Sequence, residues 1–134
     1  MDRKAGKLTL REVTAFALLV LLLAGGLLTG WYMGRQHDSI SRELDDSVWL
    51  ALSGQWDKAR KTAEGAREKW EKNWHLRAAF GDHTPMEEID DLFEEMKVYA
   101  AAGERTEFAR VCGALSVRME AMANAQKLSW WNVL

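Results

Sequence analysis

The sequence predicts an all-α protein, with an N-terminal transmembrane helix followed by a small bundle of about four amphipathic helices arranged as two hairpins. Residues 13–34 carry no charged side chain, whereas apolar and charged positions alternate at helical spacing after them. The chain has one proline, and its later glycines fall mostly where helices would end. We therefore expect a basic N-terminus (1–12), a span (13–34) and a helical domain (35–134).

The uncharged segment 13–34 is long enough to cross a lipid bilayer. As a helix it would rise roughly 33 Å, against ~30 Å of hydrocarbon. A helix also satisfies every backbone hydrogen-bonding group within lipid. The alternative is a cleaved signal peptide. Three features disfavour it: the segment is long, it ends in the bulky residues Trp31, Tyr32 and Met33, and it has no small-residue cleavage site. The segment is thus predicted to be an uncleaved anchor in contact with lipid.

The basic residues predict how the span is oriented. Four of them lie within the first eleven positions, and only Arg35 and Arg42 follow the span closely. Because flanking basic residues stay in the cytoplasm, we expect a cytoplasmic N-terminus and a C-terminal domain outside the cytoplasmic membrane. Trp31 would then lie at the outer interface, where amphipathic rings are favoured.

Three glycines within the span follow a four-residue spacing, at Gly26, Gly30 and Gly34. Glycines at this spacing leave a flat stripe on one helix face, which lets a second helix approach closely. The alternative is that glycine is simply common in membrane helices. The stripe predicts helix packing with a membrane-protein partner or with a second copy.

The composition of residues 35–134 excludes some classes of partner. This segment carries 14 basic and 18 acidic residues, so no overall positive charge attracts it to nucleic acid. Cys112 is the one cysteine, which excludes an internal disulfide. At helical spacing it shares a face with Phe108, Leu115 and Met119, so we expect a buried, inert thiol; the alternative is a disulfide bridge to another chain.

The first predicted hairpin covers the start of the outer domain. Its first helix repeats apolar residues at three- and four-residue steps and ends at Gly54. Small alanines lie between two tryptophans in its second helix, so the helices can approach closely and the large rings fill the ends. The apolar residues are Ile40, Leu44, Val48, Ala51 and Leu52, then Trp56, Ala59, Ala63, Ala66 and Trp70.

The second predicted hairpin begins with a capping box, in which Thr84 caps the helix, Pro85 opens it and Glu87 lies three positions after the cap. Gly103 ends this helix, and a short tail, residues 128–134, follows the last one. The buried faces are predicted to be Ile89, Leu92, Phe93, Met96, Tyr99 and Ala100, then Phe108, Val111, Leu115, Met119 and Met122.

Charge favours an antiparallel contact between the second and third outer helices. Residues 58–77 carry seven basic and three acidic side chains, and residues 82–95 carry seven acidic and no basic ones. Exposed ion pairs contribute only about 0–1 kcal/mol each. The pattern therefore selects neighbours more than it stabilises them.

Four short segments resemble those of one known family. They are Leu52–Ala59 (LSGQWDKA), Trp70–Asn73 (WEKN), Asp82-His83 followed by Glu88–Asp90, and the closing Leu128–Leu134. The family is an uncharacterised bacterial group of small single-span membrane proteins, the domain of unknown function 4363. The resemblance covers nearly the whole chain. It implies a membrane protein of this architecture and brings no known activity.

Asp82, His83, Glu87 and Asp90 are the candidates for a metal site, because carboxylates and one imidazole could hold a divalent cation at a helix start. The alternative is that the carboxylates complement the helix dipole and His83 is a loop residue. No nucleophile or phosphate-binding motif occurs in the chain. We therefore expect no enzyme activity, no cofactor and no resident metal.

The closing aromatic residues are candidates for docking. Trp130, Trp131 and Leu134 would return toward the bilayer in an up-down-up-down bundle. There they could contact membrane, a partner protein or the core. The predicted function is a membrane-anchored, non-enzymatic interaction module, an accessory or assembly subunit of a cell-envelope complex. The alternative function is an extracytoplasmic domain that senses a metal or another ligand, whose identity the sequence leaves unknown.

Overall fold

The computed structural model describes residues 9–73, 75 and 83–131, with the side chains of all of these except residues 83, 84, 126 and 128–131. Within this part of the chain there are four α-helices and no strand, which confirms the predicted all-α class. They are α1 (Leu10–Leu52), α2 (Trp56–Lys72), α3 (His83–Ala102) and α4 (Arg105–Trp131). The chain divides into two compact units, Met1–Tyr32 and Met33–Leu134.

The first unit is the apolar part of α1. A reciprocal pair of hydrogen bonds starts the helix: the Thr9 N–H donates to Glu12 Oε2 (2.7 Å), and the Glu12 N–H donates to Thr9 Oγ1 (3.4 Å). An 18-residue window of this helix has a mean hydropathy of 2.3, and none of it is buried. By length and composition α1 is thus compatible with a single-pass membrane anchor.

The second unit begins at Met33, inside α1, and its described residues form a bundle of four helices. The first outer helix of the sequence prediction is therefore the C-terminal part of α1, and no helix end separates it from the apolar part. The reason lies in the residues of this stretch. Gly34 is the only weak helix former among residues 33–37, and a single glycine inside a helix costs only about 1 kcal/mol.

Tight glycine turns close both hairpins. Gly54 has φ +84° and Gly103 has φ +74°, in the left-handed region that glycine adopts without a steric penalty. The Gln55 N–H donates to the Leu50 carbonyl (2.9 Å), and the Glu104 N–H donates to the Tyr99 carbonyl (3.1 Å). These bonds satisfy carbonyls left over at the helix ends. Both predicted helix ends at glycine are confirmed.

The core consists of one apolar stripe from each helix, largely as predicted. Alanines on α2 allow close packing, and aromatic rings fill the two ends of the bundle. At one end Trp56 meets the edge of Phe108, with 5.0 Å between ring centroids. The residues with at most 4% of their surface exposed include Ile40, Leu44, Ala51, Ala59, Ala63, Ala66, Trp70, Ile89, Phe93, Met96, Phe108, Val111, Cys112, Leu115 and Met119.

Three details differ from the sequence prediction. Leu52 was expected on the buried face, but it is 65% exposed because it is rotated about 100° from the buried Ala51. Helix α3 begins at His83, so Thr84 lies inside the helix rather than at its cap. Helix α4 continues through Trp131, since no glycine or proline ends it at the predicted tail.

Candidate functional site

The predicted glycine stripe is divided between the two units. Gly26 belongs to the first unit, and a methyl group added at its Cα would meet nothing within 4 Å, so a second helix could approach there. Gly30 is half-buried. Gly34 belongs to the bundle and is buried within it. Packing of this stripe against another chain stays a prediction, with Gly26 as its most open position.

The predicted docking residues are described only in part. Trp31 is 60% exposed, at the end of the first unit. Trp130 and Trp131 belong to the last turn of α4, but their side chains lie outside the described residues. Leu134 also lies outside them. Docking through these residues stays a prediction.

The candidate metal ligands do not form a described cluster. Asp82 and the side chain of His83 lie outside the described residues, and Glu87 is exposed on α3. Asp90 Oδ1 accepts a hydrogen bond from Trp70 Nε1 (2.5 Å), which occupies one of its oxygens. No group of three or more His, Cys, Asp or Glu side chains that could hold a metal occurs among the described residues.

Trp70 organises the end of the bundle opposite Trp56. Its side chain is 1% exposed, and its ring lies 6.1 Å from the His37 ring and 6.3 Å from the Phe93 ring, centroid to centroid. An open cavity of about 580 Å³ adjoins it and is bordered by Asp90 and His75, among other residues. Most of the residues that line it are charged, whereas Trp70 and Phe93 expose only 1–2% of their surfaces; the charged ones are Arg67, Glu71, Lys72, Asp90 and Glu94.

Surface charges of opposite sign meet where neighbouring helices pack together. Among the described side chains, four ion pairs join helices: Lys69–Glu43 links α2 to α1, Lys127–Asp38 links α4 to α1, and Arg110–Glu95 and Arg118–Glu88 link α4 to α3. Between α2 and α3, where sequence charge favoured contact, the described link is the Trp70–Asp90 hydrogen bond. Between the described side chains of α2 and α3, the predicted attraction therefore acts only at longer range.

Lys97 and Glu94 on α3 act at this longer range on the Arg67–Glu64 ion pair of α2. The guanidinium of Arg67 donates to the Glu64 carboxylate and lowers its pKa, with a smaller contribution from Lys97 on α3. The same hydrogen bond raises the pKa of Arg67, with a minor contribution from Glu94 on α3. Both groups are partly exposed, so solvent screens them and their effect on stability is small.

Cys112 is buried as predicted, with none of its surface exposed. Burial raises the pKa of its thiol from 9.0 to about 12. Because the thiolate is the nucleophile, this thiol is unsuited to catalysis or metal binding. The unfolded chain loses this proton above about pH 9 and the native chain keeps it, so the contribution of Cys112 to stability falls as pH rises beyond 9.

We expect Cys112 in the native protein to react with a thiol reagent at pH 8 roughly a thousandfold more slowly than in the urea-unfolded chain, because its thiolate fraction is lower by that factor. The measurement is the rate of absorbance change with a disulfide reagent. A Ser53→Cys variant provides an exposed control on the same protein. Native and unfolded rates within tenfold of each other would contradict the burial of the thiol.

A buried serine pair lies between α1 and α4, and the apolar periodicity of the sequence did not predict it. Ser41 and Ser116 are 8% and 3% exposed, and their Oγ atoms lie 3.0 Å apart. Each hydroxyl also lies 3.2 Å from the backbone carbonyl of the other residue. Each serine follows a core residue in the sequence, Ile40 before Ser41 and Leu115 before Ser116. This adjacency was the feature of the sequence from which their burial could have been predicted.

An exposed tryptophan was also missed. Trp49 is 73% exposed, and Leu52, one turn later on the same helix, is 65% exposed. Its exposure could have been predicted from its angular position on the helix, because Trp49 lies about 140° around α1 from the core residue Leu44. It is therefore on the face that carries Arg42 and Asp46, which is the solvent-facing side.

Comparison with known proteins gives one match. The family model described as Domain of unknown function (DUF4363) matches residues 32–133, which include nearly the whole bundle unit. No curated protein and no solved structure matches the chain.

Proposed function

Because this chain belongs to the DUF4363 family, a domain of unknown function, we propose its function from its own residues. It is a membrane-anchored, non-enzymatic interaction module, an accessory or assembly subunit of a cell-envelope complex. The carrying observation is an apolar helical segment of mean hydropathy 2.3 that no part of the described chain covers. Exposed apolar surface of this extent is costly in water, and lipid removes the cost.

Retention of the anchor is supported by the secondary structure. Helix α1 includes every residue from Leu10 to Leu52, so no extended segment follows the apolar part. Proteases prefer exposed, irregular chain, and a backbone held in helix is a poor substrate. The bulky Trp31 and Tyr32 near the end of the apolar part also differ from the small residues of a signal-peptide cleavage site.

The proposed orientation places the bundle outside the cytoplasmic membrane. Its support is the excess of basic residues before the apolar segment, where four occur within the first eleven positions. An impermeant maleimide should label Ser53→Cys in intact cells and Thr9→Cys only after permeabilisation. The reverse pattern would place the bundle in the cytoplasm. Native Cys112 gives no background because it is buried.

A non-enzymatic role is supported by the described side chains. Strongly shifted pKa values cluster at catalytic sites. In the described part of the chain, the thiol with a markedly raised pKa is that of Cys112, which is inaccessible. Many charged side chains on α3 are already engaged in ion pairs, among them Glu88 and Glu95. These features favour a scaffold that presents a surface to another protein.

The test is purification of the full-length protein from its native membrane in mild detergent. We expect a stoichiometric membrane-protein partner that remains bound through size-exclusion chromatography. The matched control is the same protein with Gly26→Leu, which fills the open face of the apolar helix. Recovery of the protein alone, as a monomer in both preparations, would overturn the accessory-subunit proposal.

A second candidate function, ligand sensing, is favoured by the cavity of about 580 Å³ beside Trp70 and Asp90. Its volume suits a small molecule. Sensing predicts that some divalent cation or polar metabolite raises the Tm of the full-length protein, because a ligand that binds only the native state stabilises it. A screen in which no compound changes the Tm, while a partner co-purifies, would exclude sensing in favour of the interaction module.

A further inference from the structure

We propose that the C-terminal end of α1 is a docking surface for a folded protein partner whose own surface presents an apolar pocket rimmed by lysine or arginine. We call this surface the Trp49 patch, and it consists of Asp45, Asp46, Trp49 and Leu52. The proposal rests on the proposed function and adds to it the position of the contact and the chemistry of the partner.

The apolar half of the patch is Trp49 and Leu52, which are 73% and 65% exposed and lie one helical turn apart. Elsewhere in the described bundle, the other strongly exposed large apolar residues, Val98 and Val117, lie singly on α3 and α4. Single exposed apolar residues are ordinary, whereas an adjacent pair that includes a tryptophan is typical of the centre of an interface.

The Trp49 side chain lies outside the described core of the bundle. The described bundle tryptophans Trp56 and Trp70 pack against Phe108 and Phe93, respectively. Trp49 makes no ring contact or side-chain hydrogen bond with another described residue. Tryptophan offers a large contact area at a small cost in side-chain entropy. Its place on a helix of the bundle therefore fits an anchor that is ordered before the partner arrives.

The charged half of the patch determines the partner's chemistry. Asp45 and Asp46 are exposed one turn before Trp49, and neither forms an ion pair with a described residue. Helix α1 carries no basic residue from position 43 to its end. A partner with lysine or arginine around an apolar pocket would pair with both carboxylates while it buries the indole.

A second copy of the chain is a poor occupant. Copies anchored in one membrane pair about an axis normal to it, so the same residues meet at the same height. The Asp45 and Asp46 carboxylates would then face their own equivalents, and like charges disfavour such pairing. Lipid is also a poor occupant, because Trp49 lies roughly 24 Å of helix beyond Met33, the first residue of the bundle.

The test is site-specific photo-crosslinking of the full-length protein in its native membrane. The photoreactive residue p-benzoylphenylalanine replaces Trp49 or, in a second variant, Leu52. Matched controls carry it at Val98 or Val117, which are equally exposed. We expect a single protein adduct from the two patch positions and none from the controls. An adduct with the mass of two copies, an adduct to lipid, or no adduct at all would overturn the proposal.

Charge reversal makes the test specific for the partner's chemistry. With Asp45→Lys and Asp46→Lys together, we expect the adduct yield at position 49 to fall at least roughly tenfold, with an unchanged Tm. An unchanged yield would overturn the basic rim. If the co-purifying partner is retained after Trp49→Ala, the Trp49 patch is wrong and the proposed function stands. If no partner exists even for the unaltered protein, both fail.

Discussion

Replacing Trp70 by alanine should lower the free energy of unfolding by about 3–5 kcal/mol, the range for removing a large buried aromatic side chain. The ring is 1% exposed, lies against His37 and Phe93, and donates its indole N–H to Asp90. The alanine variant would leave a cavity and remove the described hydrogen bond between α2 and α3. In a bundle of this size the loss corresponds to a Tm lower by more than about 12 °C.

The measurement is urea unfolding of the full-length protein in detergent, followed by tryptophan fluorescence. Trp49→Ala is the matched control, since it removes an exposed tryptophan and should change the unfolding free energy by less than about 0.5 kcal/mol. Trp70→Phe keeps an aromatic ring, so its loss of unfolding free energy should lie between those of Trp70→Ala and Trp49→Ala. This variant allows the measurement even if Trp70→Ala does not fold. A loss below about 1 kcal/mol for Trp70→Ala would refute its role in the core.

The second large effect is expected at the contact between α1 and α4. Ser116→Leu should destabilise the bundle by about 2–4 kcal/mol, because overpacking costs about 1–3 kcal/mol and the loss of the hydrogen bond between the two hydroxyls costs about 1 kcal/mol more. The two hydroxyls lie 3.0 Å apart, too close for a larger side chain without movement of a helix. Urea unfolding measures this loss too.

The serine pair also offers a control that separates size from hydrogen bonding. Ser116→Ala leaves Ser41 without its hydroxyl partner and should cost about 1–2 kcal/mol. The double variant Ser41→Ala with Ser116→Ala removes both hydroxyls. Its loss of unfolding free energy should be smaller than the sum of the two single-variant losses, because no hydroxyl is left without its partner. Strictly additive losses would show that the two hydroxyls do not interact.

The sequence predicted most of the core because the core depends on helical periodicity. Ala59, Ala63, Ala66 and Trp70 are buried along α2 as their spacing required. The ends at Gly54 and Gly103 were predictable for a different reason, since both residues have the positive φ that glycine tolerates best.

Boundaries without glycine or proline were not predictable from the sequence. The change from an apolar to an amphipathic pattern leaves open whether the first outer helix continues the span, and α1 is continuous because nothing in residues 33–37 ends it. The same absence allows α4 to continue through Trp131. Which charged residues form ion pairs depends on how each helix is rotated about its own axis, and counting charges along the sequence gives no information on that rotation. Glu43 therefore pairs with Lys69, although the counts favoured contacts between α2 and α3.

The candidate surfaces were harder still to predict. A reading of apolar spacing assigns Leu52 to the core, and only the position of each side chain around the helix shows that it and Trp49 are exposed. The Asp90 carboxylate was a plausible metal ligand by residue type and spacing. Its hydrogen bond with Trp70 depends on the packing of α2 against α3, which sequence spacing does not specify.

The two glycine turns have a consequence for how the chain folds. Each turn joins helices that are close in sequence, so each hairpin forms from local contacts, which form rapidly. The contacts that close the bundle are distant, since Ser41 and Ser116 are separated by 75 positions and Asp38 and Lys127 by 89. We therefore expect the α1–α2 hairpin to form on the emerging chain while α4 is still being synthesised, with the joining of α1 to α4 as the last and slowest step.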